Sequence, residues 1–568
     1  MQNKLNQYCK CIIDAIENNE INNKEDLNRY KLLIGKKLGI ANIPSNPDIL
    51  TRVKKRTPKI NQILLIKPLR TLSGVAPIAI MTKPIKCPHG TCLYCPGGPE
   101  SVFGNVPQSY TGNEPATMRA INNSFDAYLQ TMNRISQYYL IAHNPEKLEL
   151  IIMGGTFPSF SKKYQTQFIT EAFMAVNDFS ELFFKNKKFD SEKFNTFFSK
   201  EEKAFSEKIK QKLLKMKKET TLLKEQKMNE TSKIRIVTMC IETRPDWSKE
   251  PQINDMLTLG TTRTEIGVQS IYNKVLKLVN RGHTVEDSIE ATRLLKDSGL
   301  KITYHMMPGL PKTTKEEDIF TFKELYENPN FRPDGLKIYP CMVMPGTGLE
   351  KLYKQGKFSP LTTEEAAEII VEGKRYFPKY TRIHRVQRDI PTKFSFEGIQ
   401  KNNLRQIVEK KLKTKKITCK CIRCMESGIN FEKGKHIDYS ELKISELPYS
   451  ASKGEEMFIS FEDKKNKVLA GFCRLRKPFK PFRKEFTKNT CVIRELHVFG
   501  SEIGLGKTNI KSQQHRGFGK QLIERAEQIA LEKFDAKKLL VISGVGAREY
   551  YSKKLRYKQD GVYMSKKL

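Results

Sequence analysis

At 568 residues the chain is too long for a single hydrophobic core, so two large domains with smaller additions are expected. Its formal net charge of +37 favours a polyanionic partner over lysines that merely solvate every surface. With no apolar run after the initiator and no membrane-length apolar stretch, the expectation is a cytoplasmic protein without secretory signal or membrane span, whose twelve cysteines serve metals rather than disulfides.

Residues 1–60 read as a small basic helical module. Leu5, Ile12, Ile13, Ile16, Leu27, Tyr30, Leu33 and Ile34 recur at helical spacing. From Lys31 to Arg70 there are ten Lys/Arg and one acid, Asp48, and five of the cations fall between Arg52 and Lys59. Such a row suits phosphate contact; the plainer alternative is a solvated tail.

Residues 61–395 alternate short apolar runs with amphipathic stretches. Strands are expected near 148–153, 234–239, 265–268, 302–305 and 335–339, with helices between, which is the pattern of repeated βα units. A Lys/Glu/Phe-rich stretch at about 181–232 interrupts them and is expected to be an exposed helical insertion.

Cys87-Pro-His-Gly-Thr-Cys92-Leu-Tyr-Cys95 precedes this series. Three thiolates on one short loop can hold three irons of a cubane cluster and leave the fourth open to substrate. Zinc is the alternative, but it wants four ligands, and His89 sits poorly within the loop. Gly154-Gly155, Glu242-Thr-Arg-Pro-Asp246 and Glu265-Ile-Gly-Val-Gln-Ser270 fall at strand ends, the active face of a parallel barrel. Behind a cysteine loop, that order looks like a radical S-adenosylmethionine enzyme.

Residues 396–445 read as a connector carrying Cys419-Lys-Cys421-Ile-Arg-Cys424, a spacing that suits structural zinc. Cys341 is the first choice for its fourth ligand, with His436 behind it. Residues 446–568 begin with a β-hairpin over 457–475, followed by a strand at 491–498, a helix from about Gly517 to Phe534 and a strand at 538–543. Gln514-His-Arg-Gly-Phe-Gly-Lys520 opens that helix; the glycines would let a pyrophosphate approach its N-terminal amides. This Q-x-x-G-x-G loop resembles the acetyl-CoA signature of the GNAT acyltransferases. Tyr551 would then be the acid that meets the leaving thiolate, or else a half-buried aromatic.

Taken together, Cys87 to Gly98, Ser109-Tyr-Thr-Gly-Asn-Glu-Pro115, Arg281-Gly-His-Thr284, His305-Met-Met-Pro308, Arg385-Val-Gln-Arg-Asp-Ile-Pro391, Arg494-Glu-Leu-His-Val498 and Ile542-Ser-Gly-Val-Gly546 resemble the catalytic subunit family of Elongator, in its archaeal form. The resemblance implies an α/β protein: a partial (βα) radical-SAM barrel, then a GNAT-type domain, with a tRNA-binding N-terminal module and a zinc-bearing connector. It implies a [4Fe-4S] cluster on Cys87, Cys92 and Cys95, S-adenosylmethionine near Gly154 and Gly155, and zinc on Cys341, Cys419, Cys421 and Cys424. Acetyl-CoA contacts map onto Lys147, Glu495, Leu496, His497, Val498, Phe518, Gly519, Lys520 and Tyr551, with Lys147 and Tyr551 catalytic. The implied activity is tRNA uridine(34) carboxymethylation: a 5′-deoxyadenosyl radical takes hydrogen from the acetyl methyl, the resulting carbon radical adds to carbon 5 of the wobble uridine, and after oxidation of the adduct thioester hydrolysis leaves a carboxymethyl group and free CoA.

The implied partner is the tRNA anticodon stem-loop, with accessory Elongator subunits only in a eukaryotic source and self-association left open. Two departures stand out: Arg556 replaces the usual glycine after Tyr550-Tyr551 with one extra residue, and Val562 replaces a proline. The competing readings are a protein lysine (histone) acetyltransferase with a structural cluster, a tRNA methylthiotransferase, and a non-enzymatic RNA-binding scaffold.

Overall fold

The computed structural model describes residues 2–67, 70–198, 205–391, 394–435, 437–500 and 517–568. Four helices, Gln2–Glu17, Lys24–Leu38, Asn46–Leu50 and Pro58–Leu64, form the N-terminal module. Asn23, Ser45 and Thr57 cap three of them through their side chains, so the polar residues between apolar runs decide where each helix starts. Tyr8, Ile12, Ile16, Leu27, Ile49, Ile60 and Leu64 meet in its core. Leu33, expected on the buried face, is 58% exposed.

Seven parallel strands follow: β1 (Ala76–Met81), β2 (Lys147–Met153), β3 (Arg235–Thr243), β4 (Arg263–Gln269), β5 (Lys301–Met306), β6 (Gly335–Ile338) and β7 (Arg382–Arg385). They pair in chain order, and β1 and β7 remain the two edges. This is a half-barrel wound in one direction, as successive βα crossovers require. Edge carbonyls of β1 are satisfied by side chains: Tyr138 donates to Pro77 O and Arg119 to Ala79 O, each at 2.8 Å.

The stretch at 181–232 is not the exposed insertion expected. The helix Lys162–Phe183 runs into it, and Phe183, Phe194, Phe198, Ile209 and Leu213 are buried in the barrel's own core. The surrounding lysines and glutamates dominate the composition and mask these phenylalanines. The same cluster ties down part of the basic segment. Arg56 lies over the rings of Phe189 and Phe194, and Ser191 and Asn195 donate to the carbonyls of Lys54 and Val53.

The C-terminal sheet has seven strands: β8 (Leu442–Ala451), β9 (Gly454–Asp463), β10 (Val468–Lys477), β11 (Thr490–Val498), β12 (Lys538–Val541), β13 (Lys558–Asp560) and β14 (Tyr563–Lys567). Their order is β8-β9-β10-β11-β12-β14-β13, antiparallel except for β11 with β12. The helix Phe518–Phe534 lays Leu522, Ile523, Ala526, Ile529 and Ala530 into the core of this domain. Sequence reading finds the hairpin, β11, β12 and this helix, but it assigns the first part of β8 to the connector.

The second sheet docks against the strand entrances of the half-barrel. Arg494 donates to Asp334 at 2.6 Å and to Glu456 at 3.0 Å; Arg476 donates to Asp297 and Glu456; Lys296 reaches Glu456 at 3.3 Å. Arg476, Arg494, Lys296, Asp297, Asp334 and Glu456 are all buried, so each charge depends on the others for its solvation. Gly544 completes the seam: a Cβ there would lie 2.0 Å from the carbonyl oxygen of Val237, so only glycine permits that backbone contact with β3.

Candidate functional site

Parallel strands put all their exits at one end, and the cysteine loop lies there. Cys92 and Cys95 are 6% and 7% exposed. The Ser109 amide donates to Cys95 Sγ at 3.2 Å, Gln108 accepts from the same thiol at 3.1 Å, and Arg281 points at Cys92 Sγ from 3.7 Å. Burial pushes the Cys87 thiol up to about 11, and the neighbouring thiol Cys95 adds to the rise, while Arg244 and Arg281 oppose it. The three sulfurs do not fall within 4.8 Å of one another, whereas those of Cys419, Cys421 and Cys424 do. Zinc at 2.3 Å from each sulfur would bring them to about 3.8 Å, so this wider set suits a cubane rather than a single ion.

Around the cysteines the strand exits carry buried polar atoms without partners: Thr82 Oγ1, Thr243 Oγ1, one Arg244 nitrogen and Gln269 Oε1. Burial pushes His283 down to about 2, helped by Arg281 and Arg244, so its imidazole is neutral. Gln269 sits at φ 68°, a conformation that costs energy outside glycine. Gly154 has φ 124°, and a Cβ on it would meet Thr82 Oγ1 at 2.1 Å, which explains the glycine pair after β2. Unmatched donors and acceptors beside two arginines are expensive unless a polar ligand takes them, and a zwitterionic, ribose-bearing molecule such as S-adenosylmethionine fits that need.

One cluster emerges that sequence reading treated only as parts of motifs. Glu242, Glu265 and His305, on β3, β4 and β5, bring their ligand atoms within 4.8 Å of one another. Tyr110 donates to Glu242 at 2.8 Å, His305 bonds Glu265 at 2.9 Å, and Lys337 pairs with Glu265. Burial alone would raise the Glu265 carboxyl, but Lys337 and Arg263 hold it well below the usual range. Its signal in the sequence is one inward-facing polar residue on each of four successive strands.

The connector cysteines form the tight set. Cys421 Sγ is 3.6 Å from Cys424 Sγ, and the buried Lys374 ammonium lies 3.4 Å from Cys419 Sγ. Cys341 does not join them, contrary to the sequence expectation. It follows β6 at the exit end and packs with Cys92, Tyr94 and Cys95, while Ile422 donates to Thr381 O beside the entrance of β7. Strand direction therefore separates Cys341 from the triad. His436 lies outside the described residues.

In the second domain β11 pairs with β12 only over Thr490–Ile493. Beyond Ile493 the two diverge, and Glu495 to Val498 are left paired with β10 alone. A Cβ on Gly519 would lie 3.0 Å from Tyr550 OH and 3.8 Å from Leu496 and Val498, so the helix start, the splayed strand and a tyrosine converge. The hydroxyl at this point belongs to Tyr550; Tyr551 is 6% exposed and packs in the domain core. Arg556 takes φ 62° where the family's glycine would stand. Glu495 pairs with Lys301 at 2.6 Å and Arg474 at 2.7 Å, and His497 bonds Ser73 O at 3.0 Å. Burial would raise the Glu495 carboxyl, but Lys301 and Arg474 hold it down at about 2. Lys520 is on the surface beside Glu524, and Lys147, at the entrance of β2, is half-buried. Gln514, His515 and Arg516 lie outside the described residues.

The chain matches three family descriptions in order: the ELP3 N-terminal domain over residues 5–72, the Radical SAM superfamily over 84–324, and the Radical SAM C-terminal domain over 333–414. A tRNA uridine(34) acetyltransferase of Methanocaldococcus infernus is 49% identical, covering 94% of this chain and 93% of its own. Elongator complex protein 3 of Saccharomyces cerevisiae is 39% identical, covering 96% of this chain and 92% of its own. The solved structure of the archaeal M. infernus Elp3 lacking its N-terminus superposes with a TM-score of 0.72 at 43% identity, covering 88% of this chain and all of that one. The cysteine loop, the half-barrel behind it and the sheet docked beneath are thus those of a chain that belongs to the Elp3 family, whose radical-SAM domain implies a [4Fe-4S] cluster and S-adenosylmethionine as cofactors.

Proposed function

We propose that the protein is a transferase that uses acetyl-CoA to build 5-carboxymethyluridine at position 34 of tRNA. The observation that carries this reading is the fusion itself: a cysteine-bearing half-barrel and a mixed sheet whose strands splay beside a helix start are locked together by buried ion pairs in one chain. Relatives covering nearly the whole chain carry the name tRNA uridine(34) acetyltransferase.

When bound, the cluster and S-adenosylmethionine supply a 5′-deoxyadenosyl radical able to take hydrogen from an acetyl methyl. The remaining work falls to side chains of this protein. Arg244 and Arg281 offset the negative charge of the thiolates. The unpartnered groups at the strand exits hold the cosubstrate. Glu495 to Val498, Gly517 to Lys520, Lys147 and a tyrosine of the 550–551 pair hold the thioester. The radical formed on addition to carbon 5 of the uridine must give up one electron to an acceptor outside these side chains and the proton of carbon 5, and His305, bonded to Glu265 and reached by solvent, is placed to take that proton. The exposed Lys54 and Lys55 of the N-terminal module meet tRNA phosphates. Cys419, Cys421 and Cys424 would hold a structural zinc, with the buried Lys374 ammonium offsetting the negative charge of three thiolates around a divalent ion.

The test is incubation with acetyl-CoA, S-adenosylmethionine, a reductant and tRNA, followed by mass spectrometry of the nucleosides. 5-Carboxymethyluridine together with 5′-deoxyadenosine is the expected result. Histone acetylation without 5′-deoxyadenosine would replace this reading with that of a protein acetyltransferase.

A further inference from the structure

The cysteine loop and the second domain lie at opposite ends of the barrel strands, and among the described residues the inner face of the first two strands between them is not packed shut. On β2 the outward residues Leu148, Leu150 and Ile152 are buried under helices, whereas the inward residues Lys147, Glu149, Ile151 and Met153 are each only half-buried. A barrel lumen is ordinarily filled by layers of side chains, so an inner face accessible along its whole length departs from the rule. Topology is the cause: β1 and β7 are not paired with each other. The β1 residues in register with Glu149 and Ile151 are also small, Pro77 and Ala79, and likewise half-buried.

Both ends of this furrow meet a site. At the entrance end β11 reaches into the gap between the edges, with His497 bonded to Ser73 O just before β1 and Phe499 beneath Arg382 at the start of β7. At the exit end Met153 leads into Gly154 and Gly155, and Gly155 lies against Gln108, which contacts Cys95. A strand of seven residues covers about 20 Å, so whatever connects the two sites must be long and thin.

We propose that this furrow is the track of an acyl-pantetheine arm, with its nucleotide end at Gly517–Lys520 and its acyl end at Gly154–Gly155. The lining suits such an arm. Pro77, Ala79, Ile151 and Met153 offer apolar surface to its methylenes, and Lys147 and Glu149 offer polar partners to its amides. Glu149 is held midway by Arg263 at 2.7 Å and keeps its side chain 25% exposed. The inference rests on the acetyl-CoA reading given above and adds the route by which the thioester passes from one domain to the other.

The test uses the reconstituted holoenzyme with two probes, trideuterated acetyl-CoA and a CoA thioester bearing a diazirine on its acyl group. In the wild type, photolabel should map to peptides containing Ile151 to Gly155, and the 5′-deoxyadenosine formed should carry deuterium. Ile151→Trp, which fills the furrow without removing a charge, should weaken acetyl-CoA binding, lower the deuterium enrichment at least tenfold at saturating acetyl-CoA and remove the label from β2. Ile151→Ala, which leaves the furrow open, should lower the enrichment far less than Ile151→Trp and keep label on β2, and thermal melting checks that each variant is folded. Label confined to the second domain in the wild type, or undiminished enrichment in a folded Ile151→Trp, overturns the track. Failure of the wild type to bind acetyl-CoA at all would instead overturn the underlying functional reading.

Discussion

The two ends of the half-barrel differ in how far their buried charges are matched. At the strand exits Thr82, Thr243, Arg244 and Gln269 keep atoms that no protein group satisfies, beside cysteines too widely spaced for one ion. At the strand entrances Arg494, Arg476, Lys296, Asp334 and Glu456 satisfy one another, and three cysteines close tightly beside Lys374. An unmatched buried group costs about 1–3 kcal/mol; atoms of Thr261, Arg263 and Arg474 are unmatched at the entrances too, but those two arginines pair with carboxylates through their other nitrogens, whereas the exit-end groups lie beside the cysteines. Matched groups hold domains in place. The contrast assigns chemistry to the exit end and assembly to the entrance end.

The largest expected effects come from exchanging one cysteine at each end. Cys92→Ala should abolish iron incorporation and all 5′-deoxyadenosine formation while leaving zinc content and the melting temperature nearly unchanged. Cys421→Ala should do the reverse, losing zinc, keeping iron, and melting about 10 °C lower, because a structural metal contributes folding energy directly. Metal analysis and calorimetry of the pair would break the comparison if both variants lost the same metal.

Next in size is the ion network. Arg494→Ala leaves Asp334 with only the more distant Lys296 and Arg474, each at 3.5 Å, and takes one of three cations from Glu456; it should cost about 3 kcal/mol, read as a lower urea midpoint. The pH dependence should carry the same signature. Glu495 titrates near 2 when folded against an ordinary 4.5, so its contribution is complete above pH 4.5 and is lost as pH falls towards 2. That contribution is at most about 3 kcal/mol. Glu495→Gln should flatten the acid limb of the stability curve, measured by urea unfolding between pH 5 and 2.

The smallest expected effect concerns Lys374. Lys374→Met should weaken zinc binding about tenfold to a hundredfold in chelator competition, the usual cost of removing a group that supports metal ligands, while Lys374→Arg stays close to wild type. Equal affinity in all three proteins would show that the buried ammonium plays no part at the triad.

Much of this architecture is legible in the sequence because it is written in local patterns. The cysteine loop, the glycine pair after β2, the order of the βα units and the hairpin that opens the second domain all depend on spacings of a few residues. The insertion is read less well, since Phe183, Phe194 and Phe198 find their partners across a long separation and are hidden among lysines. The placement of Cys341 fails for a geometric reason. Its spacing from Cys419 says nothing about strand direction, and the two lie at opposite ends of the sheet.

By itself, then, the sequence determines which segments become strands, where helices start, which three cysteines can share a cluster and which family the chain resembles, because each of these rests on contacts between near neighbours or on short motifs. The tertiary structure alone decides that the second sheet docks at the strand entrances, that Tyr550 rather than Tyr551 faces the Gly519 turn, that Glu242, Glu265, His305 and Lys337 converge inside the barrel, and that the inner face of β2 stays open from one site to the other. Those outcomes depend on how seven strands curve and on where the curve stops short of closing, and no local run of residues specifies that.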